Sequence, residues 1–185
     1  SGTPKEVAVK FLGEHGGLFG LEDKSLFFSE VQESSGESQV YFKQIYNGAE
    51  FYGIGGDVRV LVTKDNHVRT ISAGYVPSVR IKASSKSELN DSALKNLLFD
   101  YFVNLSRSEN ITSSDNGSDY FRDLIDTRKP ERFVYPMNYP LEEDTEFVLA
   151  LLYRFPSSFP YYRVFQDPFT GEIIGKEKSP GYVES

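Results

Sequence analysis

The chain has 185 residues, of which 27 are acidic and 20 basic for a net charge of −7, and it contains no cysteine, no tryptophan and two histidines. That balance argues against a nucleic-acid partner, because such binders carry a basic face that displaces counterions from phosphates. Disulfides, cysteine nucleophiles and Cys/His zinc sites are excluded by composition.

Hydrophobic residues make up 39% and aromatics 15%, all Phe and Tyr, which is enough apolar surface to offset ordering entropy. No run has the apolar length to cross a bilayer and no basic-then-apolar leader opens the chain. The expectation is a soluble, acidic, globular protein with no membrane partner.

Thr3-Pro4-Lys5-Glu6 places a cap, a first-position proline and a glutamate three residues after the cap, the pattern of a capping box. Val7, Ala8, Phe11 and Leu12 follow at helical spacing, and Gly13, Gly16 and Gly17 end the element. Residues 27–31, 40–46, 57–63 and 68–73 are then rich in Val, Ile, Phe and Tyr. Val58, Val60 and Val62 share one face, while Ser35-Gly36, Asn47-Gly48, Gly55-Gly56 and Asp65-Asn66 mark the turns. One helix followed by an antiparallel meander is predicted.

The polar stretch 77–87 is the predicted boundary. Asn90 caps a second helix whose Ala93, Leu94, Leu97, Leu98, Tyr101, Phe102 and Leu105 recur with the period of a helix packed on a sheet. Of these, Leu94, Leu97, Leu98, Tyr101 and Phe102 are expected to be buried. Residues 106–131 are Ser/Asn/Asp-rich and read as a surface insertion. Strands are expected again at 132–135, 147–155, 161–167 and 172–176. The fold class predicted is α+β, two units each with a helix on an antiparallel sheet, spanning 1–80 and 87–178, followed by a tail, 179–185.

Catalytic chemistry finds little support. His15 and His67 belong to no His-Glu-x-x-His pair, and no Gly-x-Ser-x-Gly elbow is present. Spacing alone leaves a Ser-His-Asp triad open, since triads assemble in space. Glu142-Glu143-Asp144 reads as a solvated loop and Asp115-Asn116-Gly117 lacks the ligand alternation of a calcium loop. Gly53-Ile54-Gly55-Gly56 precedes a strand and has no following Lys-Ser/Thr, so it reads as a β-bulge or turn rather than a phosphate cradle. Asn110-Ile111-Thr112 and Asn116-Gly117-Ser118 are glycosylation acceptors in a secreted eukaryotic chain. No catalytic residue, cofactor or metal ligand is expected.

The block Val40-Tyr41-Phe42-Lys43-Gln44-Ile45-Tyr46-Asn47-Gly48, continued by Asp57-Val58-Arg59-Val60-Leu61-Val62 and Gly74-Tyr75-Val76-Pro77, resembles the fungalysin/thermolysin propeptide (FTP) domain. Leu89-Asn90-Asp91-Ser92, Tyr162-Arg163-Val164-Phe165-Gln166-Asp167 and Thr170-Gly171-Glu172 resemble a PepSY domain. The chain departs from the family at Glu50, where proline is usual, in its longer glycine turn at 53–56, and in the insertion 106–131. The zinc protease domain that normally follows is not in this sequence.

The resemblance implies the pro-region of a secreted, extracellular or periplasmic, thermolysin-like zinc metalloprotease. Such a pro-region is an inhibitor and intramolecular folding chaperone of the catalytic domain, which is the implied partner. The alternatives are a free-standing secreted inhibitor or binding module of the same architecture, and an enzyme whose site the sequence hides. The residues expected to meet or brace for the partner are Gln44, Tyr46, Asn47 and Gly48, with Tyr182 and Val183 of the tail facing the protease cleft.

Overall fold

The structure, a computed structural model, describes residues 2–21, 25–53, 55–77, 80–108, 117–138, 145–156, 159 and 161–178. In chain order it contains helix α1 (Pro4–His15), a 3₁₀ turn (Gly16–Phe19) and strands β1 (Leu26–Ser34), β2 (Glu37–Tyr46), β3 (Ala49–Phe51), β4 (Asp57–Thr63), β5 (Val68–Ala73) and β6 (Ile81–Lys82). Helices α2 (Asp91–Ser108) and α3 (Gly117–Asp126) follow, then β7 (Glu131–Pro136), β8 (Phe147–Arg154), β9 (Tyr161–Gln166) and β10 (Ile173–Lys178). The chain is α+β and divides into two units. The first comprises 1–82 and takes back Val134–Phe147; the second comprises 83–133 and 148–185. Against the expected 1–80 and 87–178, the division falls within the polar stretch 77–87, and the first unit is discontinuous.

In the first unit the capping box forms as the sequence predicts. Thr3 Oγ1 accepts from the Glu6 N–H at 3.3 Å, and Glu6 Oε2 accepts from the Thr3 N–H at 2.8 Å. Strands β1, β2, β4 and β5 pair antiparallel in registers that align Val31, Val40, Val60 and Ile71 in one column and Phe28, Phe42, Val58 and Ala73 in another. These columns lie on one face because side chains alternate along each strand. Ala8 and Leu12 of α1 close that face into a core. The returning segment packs beside β3: the Tyr52 N–H donates to the Val134 carbonyl at 2.9 Å, and the Phe51 and Phe147 rings meet edge-on at 5.8 Å.

In the second unit the N-cap is also as predicted, Asn90 Oδ1 accepting from the Ala93 N–H at 2.9 Å. Leu94, Leu98 and Phe102 pack on Leu151, Tyr153 and Val164 of β8 and β9. Two expectations need correction. Leu97 is 42% exposed, because its place on α2 puts it over the turn at Gly171 instead of over the strands. The stretch 106–131 is not merely an insertion on the surface. It contains α3, whose Phe121 and Ile125 enter the core. Phe121 stacks on Phe102 at 6.2 Å, and Phe159 meets both rings edge-on at 4.7 and 5.7 Å.

Candidate functional site

The site is built from the end of β2. Val40, Phe42 and Gln44 occupy alternate positions on the core face, so the strand carries a glutamine inward to 3% exposure. Gln44 Nε2 donates to the Val76 carbonyl at 2.6 Å, and Gln44 Oε1 accepts from the Val76 N–H at 2.9 Å. One side chain thereby gives a loop residue both partners that a neighbouring strand would supply. The main chain reinforces it. The Gln44 N–H donates to the Gly56 carbonyl at 2.5 Å, the Gly56 N–H to the Gly74 carbonyl at 2.7 Å, and the Gly74 N–H to the Asp57 carbonyl at 2.8 Å. The turn before β4 and the exit from β5 are therefore fastened to β2 at one point.

Around this brace lies a small cavity of about 150 Å³ lined by Lys43, Gln44, Glu50, Phe51 and Asp57. Lys43 Nζ pairs with Glu50 Oε2 at 2.8 Å, and that hydrogen bond, with the charge of the carboxylate, raises the ammonium's pKa. The cavity is well below the few hundred Å³ of ordinary ligand pockets. A Cβ on Gly56 would come within 2.9 Å of the Phe51 Cβ, which keeps the turn close to β3. The geometry is that of a brace with a charged rim, suited to holding a surface in shape.

Tyr46 is half-buried and pairs with Ala49 across the β2–β3 hairpin. Asn47 (φ 48°) and Gly48 (φ 77°) form its turn, a pair of left-handed residues that matches the twist of the flanking strands. Both are exposed at the hairpin tip. Of the residues expected to meet a partner, Gln44 is thus turned inward, Tyr46 is intermediate, and Asn47 and Gly48 are presented to solvent. Tyr182 and Val183 lie outside the described residues. His15 ends α1 with its ring 4.7 Å from Phe11, and His67 follows the β4–β5 turn. Among the described residues no group of three or more His, Asp or Glu side chains is arranged to hold a metal ion, and no helix is long and apolar enough to cross a membrane.

Sequence reasoning missed Val76 as the receptor of Gln44, and it missed a second brace. Gln166, fully buried on β9, donates from Nε2 to the Leu94 carbonyl of α2 and to the Gly171 carbonyl, both at 3.0 Å. The available signal was parity: each glutamine falls on an apolar face of its strand, where a polar group is kept only if it is hydrogen-bonded.

No protein-family model matches the chain, and no curated protein matches it. Among solved structures it is similar to one described as the Bacillus megaterium YpeB C-terminal domain, with 18% identity and a TM-score of 0.36, over 96% of this chain and 64% of that one. The chain thus spans less than two thirds of that structure's length, and a likeness at this score carries no functional inference.

Proposed function

We propose that the chain is a pro-region of a secreted thermolysin-like zinc metalloprotease, built from an FTP-like and a PepSY-like unit, that inhibits the catalytic domain and assists its folding. The observation that carries the reading is the Gln44–Gly48 block. Its residues are the sharpest point of the family resemblance, and they have separate physical roles: Gln44 fixes the β5 exit through Val76, and Asn47-Gly48 turns the hairpin outward. In this reading the unit is a rigid scaffold, and the partner meets the exposed hairpin and the tail, with Tyr182 and Val183 in the cleft. A pre-organised scaffold of this kind lowers the ordering cost of binding.

Refolding tests the chaperone half. A thermolysin-like catalytic domain is denatured and diluted with or without the chain, and recovered peptidase activity is measured after dissociation. The expected result is a recovery that rises with the molar ratio of the chain and saturates near equivalence. Recovery no better than with an equal mass of serum albumin would reject the role.

A further inference from the structure

Strand β5 is the last strand of its sheet, paired only with β4 among the described residues. The Gly74 N–H donates to the Asp57 carbonyl opposite it, and hydrogen-bonded pairs recur at every second residue of an antiparallel ladder. Ser72 and Thr70 therefore turn their backbone groups toward β4, and Ile71 and Ala73 present theirs outward. Arg69, Thr70, Ser72 and Ala73 are exposed in the folded chain.

Edges left open in this way are usually protected by lysine, proline or a bulge. Strand β5 has neither proline nor lysine, and Arg69 is drawn aside to Glu37 at 2.6 Å. Its register shift falls at Val68–Thr70, leaving Thr70–Ala73 regular. Next to its start opens a groove of about 660 Å³ with Val7 and Phe11 of α1 and Val68 of β5 as its apolar lining, and Glu6, Lys10 and Glu14 along α1. Lys10 lies 3.8 Å from Glu14, and beside Asn66 and His67 the lining sets two carboxylates, Glu6 and Glu14, against that one ammonium.

We infer that β5 and this groove form a docking site for an extended segment of another protein, apolar at alternate positions and carrying a Lys or Arg. The segment adds to the edge by main-chain hydrogen bonds to Ile71 and Ala73, as strand-addition ligands do. Side chains on its α1-facing side continue the Val68–Ile71 face into the groove, and its cation meets exposed Glu14 in place of the loosely held Lys10, with the Glu6 carboxylate, one oxygen of which caps α1, adding to the field. Charge decides between occupants: a second copy would bring two chains of net charge −7 together, whereas a basic segment is attracted to the rim. The inference does not depend on the protease reading.

The test selects a phage-displayed library of random peptides of about strand length on the folded chain, and the enriched sequences are synthesised. The expected winners alternate apolar residues and carry Lys or Arg, and they slow amide exchange at Ile71 and Ala73. Ala73→Pro, which removes an outward donor and no inward ladder bond, should weaken them by about tenfold, the scale of one lost hydrogen bond. Glu14→Lys, at the exposed rim, should weaken them severalfold. No enrichment over an unrelated protein, or winners that bind Ala73→Pro unchanged, would overturn the inference. So would dimerisation of the wild-type chain abolished by Ala73→Pro, which would make a second copy the occupant. Should Ala73→Pro not fold, unchanged exchange at Ile71 and Ala73 in the wild-type complex overturns it alone.

Discussion

Replacing Gln44 by Leu keeps the apolar parity of β2 but removes both partners of Val76. Each of the two hydrogen bonds is worth about 0.5–1.5 kcal/mol net, and a buried N–H or carbonyl left unpaired costs about 1–3 kcal/mol. Burial of the leucine offsets part of this. The expected loss is about 2–4 kcal/mol in the first unit, read by urea denaturation with circular dichroism and tyrosine fluorescence, since the chain has 12 Tyr and no Trp. Hydrogen exchange at the Val76 amide should accelerate in parallel. Gln44→Glu sharpens the argument. A carboxylate can accept from the Val76 N–H, but it faces the Val76 carbonyl where Nε2 now donates at 2.6 Å. Only the protonated acid satisfies both, so the folded pKa of the introduced carboxyl is raised. Its stabilising contribution is then fully present below the unfolded value of about 4.3 and lost as pH rises through the folded one. The deficit of Gln44→Glu should therefore shrink on acidification. A Gln44→Leu protein within about 0.5 kcal/mol of wild type, with Val76 exchange still slow, would refute the brace.

Three further outcomes are expected. Tyr153 is fully buried with no hydrogen-bond partner for its hydroxyl, and burial, with the Asp91 charge adding, pushes its pKa up to about 12. Tyr153→Phe should be neutral or stabilising at pH 7, and it should remove an alkaline loss that grows in wild type between the unfolded value of about 10 and the folded one, reaching about 3 kcal/mol in pH-dependent unfolding. Gly171→Ala should cost about 1–2 kcal/mol by the left-handed backbone (φ 75°), with little added by the Leu97 tip, which is free to swing; a double-mutant cycle with Leu97→Ala reads the coupling. Arg132 donates two hydrogen bonds to Glu88 and holds its carboxyl below the ordinary 4.5. The difference between wild type and Glu88→Gln should be under about 1 kcal/mol, present above that value and lost as pH falls through the depressed pKa in acid titrations of stability.

Local rules carried much of the fold. Strands β4 and β5 begin and end where alternation and turn residues place them, and α1 starts at its capping box, because these depend on neighbours within a few residues. Helix α3 was hidden by composition: Ser, Asn and Asp around it suggested a loop, although Phe121 and Ile125 at i and i+4 were a legible apolar pair. Leu97 shows the limit of a stripe drawn on one helix, since its exposure depends on what the opposing turn covers. The inward face of Gln44 was readable from its parity with Val40 and Phe42. Its receptor was not, because Val76 is 32 residues away and no local pattern records a long-range contact. The return of Val134–Phe147 to the first unit was hidden for the same reason.

The central proposal is that this chain binds a thermolysin-like catalytic domain and slows its hydrolysis of peptides. The purified chain is titrated into a panel of mature thermolysin-like proteases while cleavage of a fluorogenic peptide is followed, and the titration is repeated with the residues after Lys178 removed. The account predicts saturable inhibition by the whole chain, weakened by the truncation as Tyr182 and Val183 are lost. Inhibition unchanged by truncation would contradict the cleft-facing tail, and no binding or inhibition at micromolar chain by any member of the panel would contradict the claim itself.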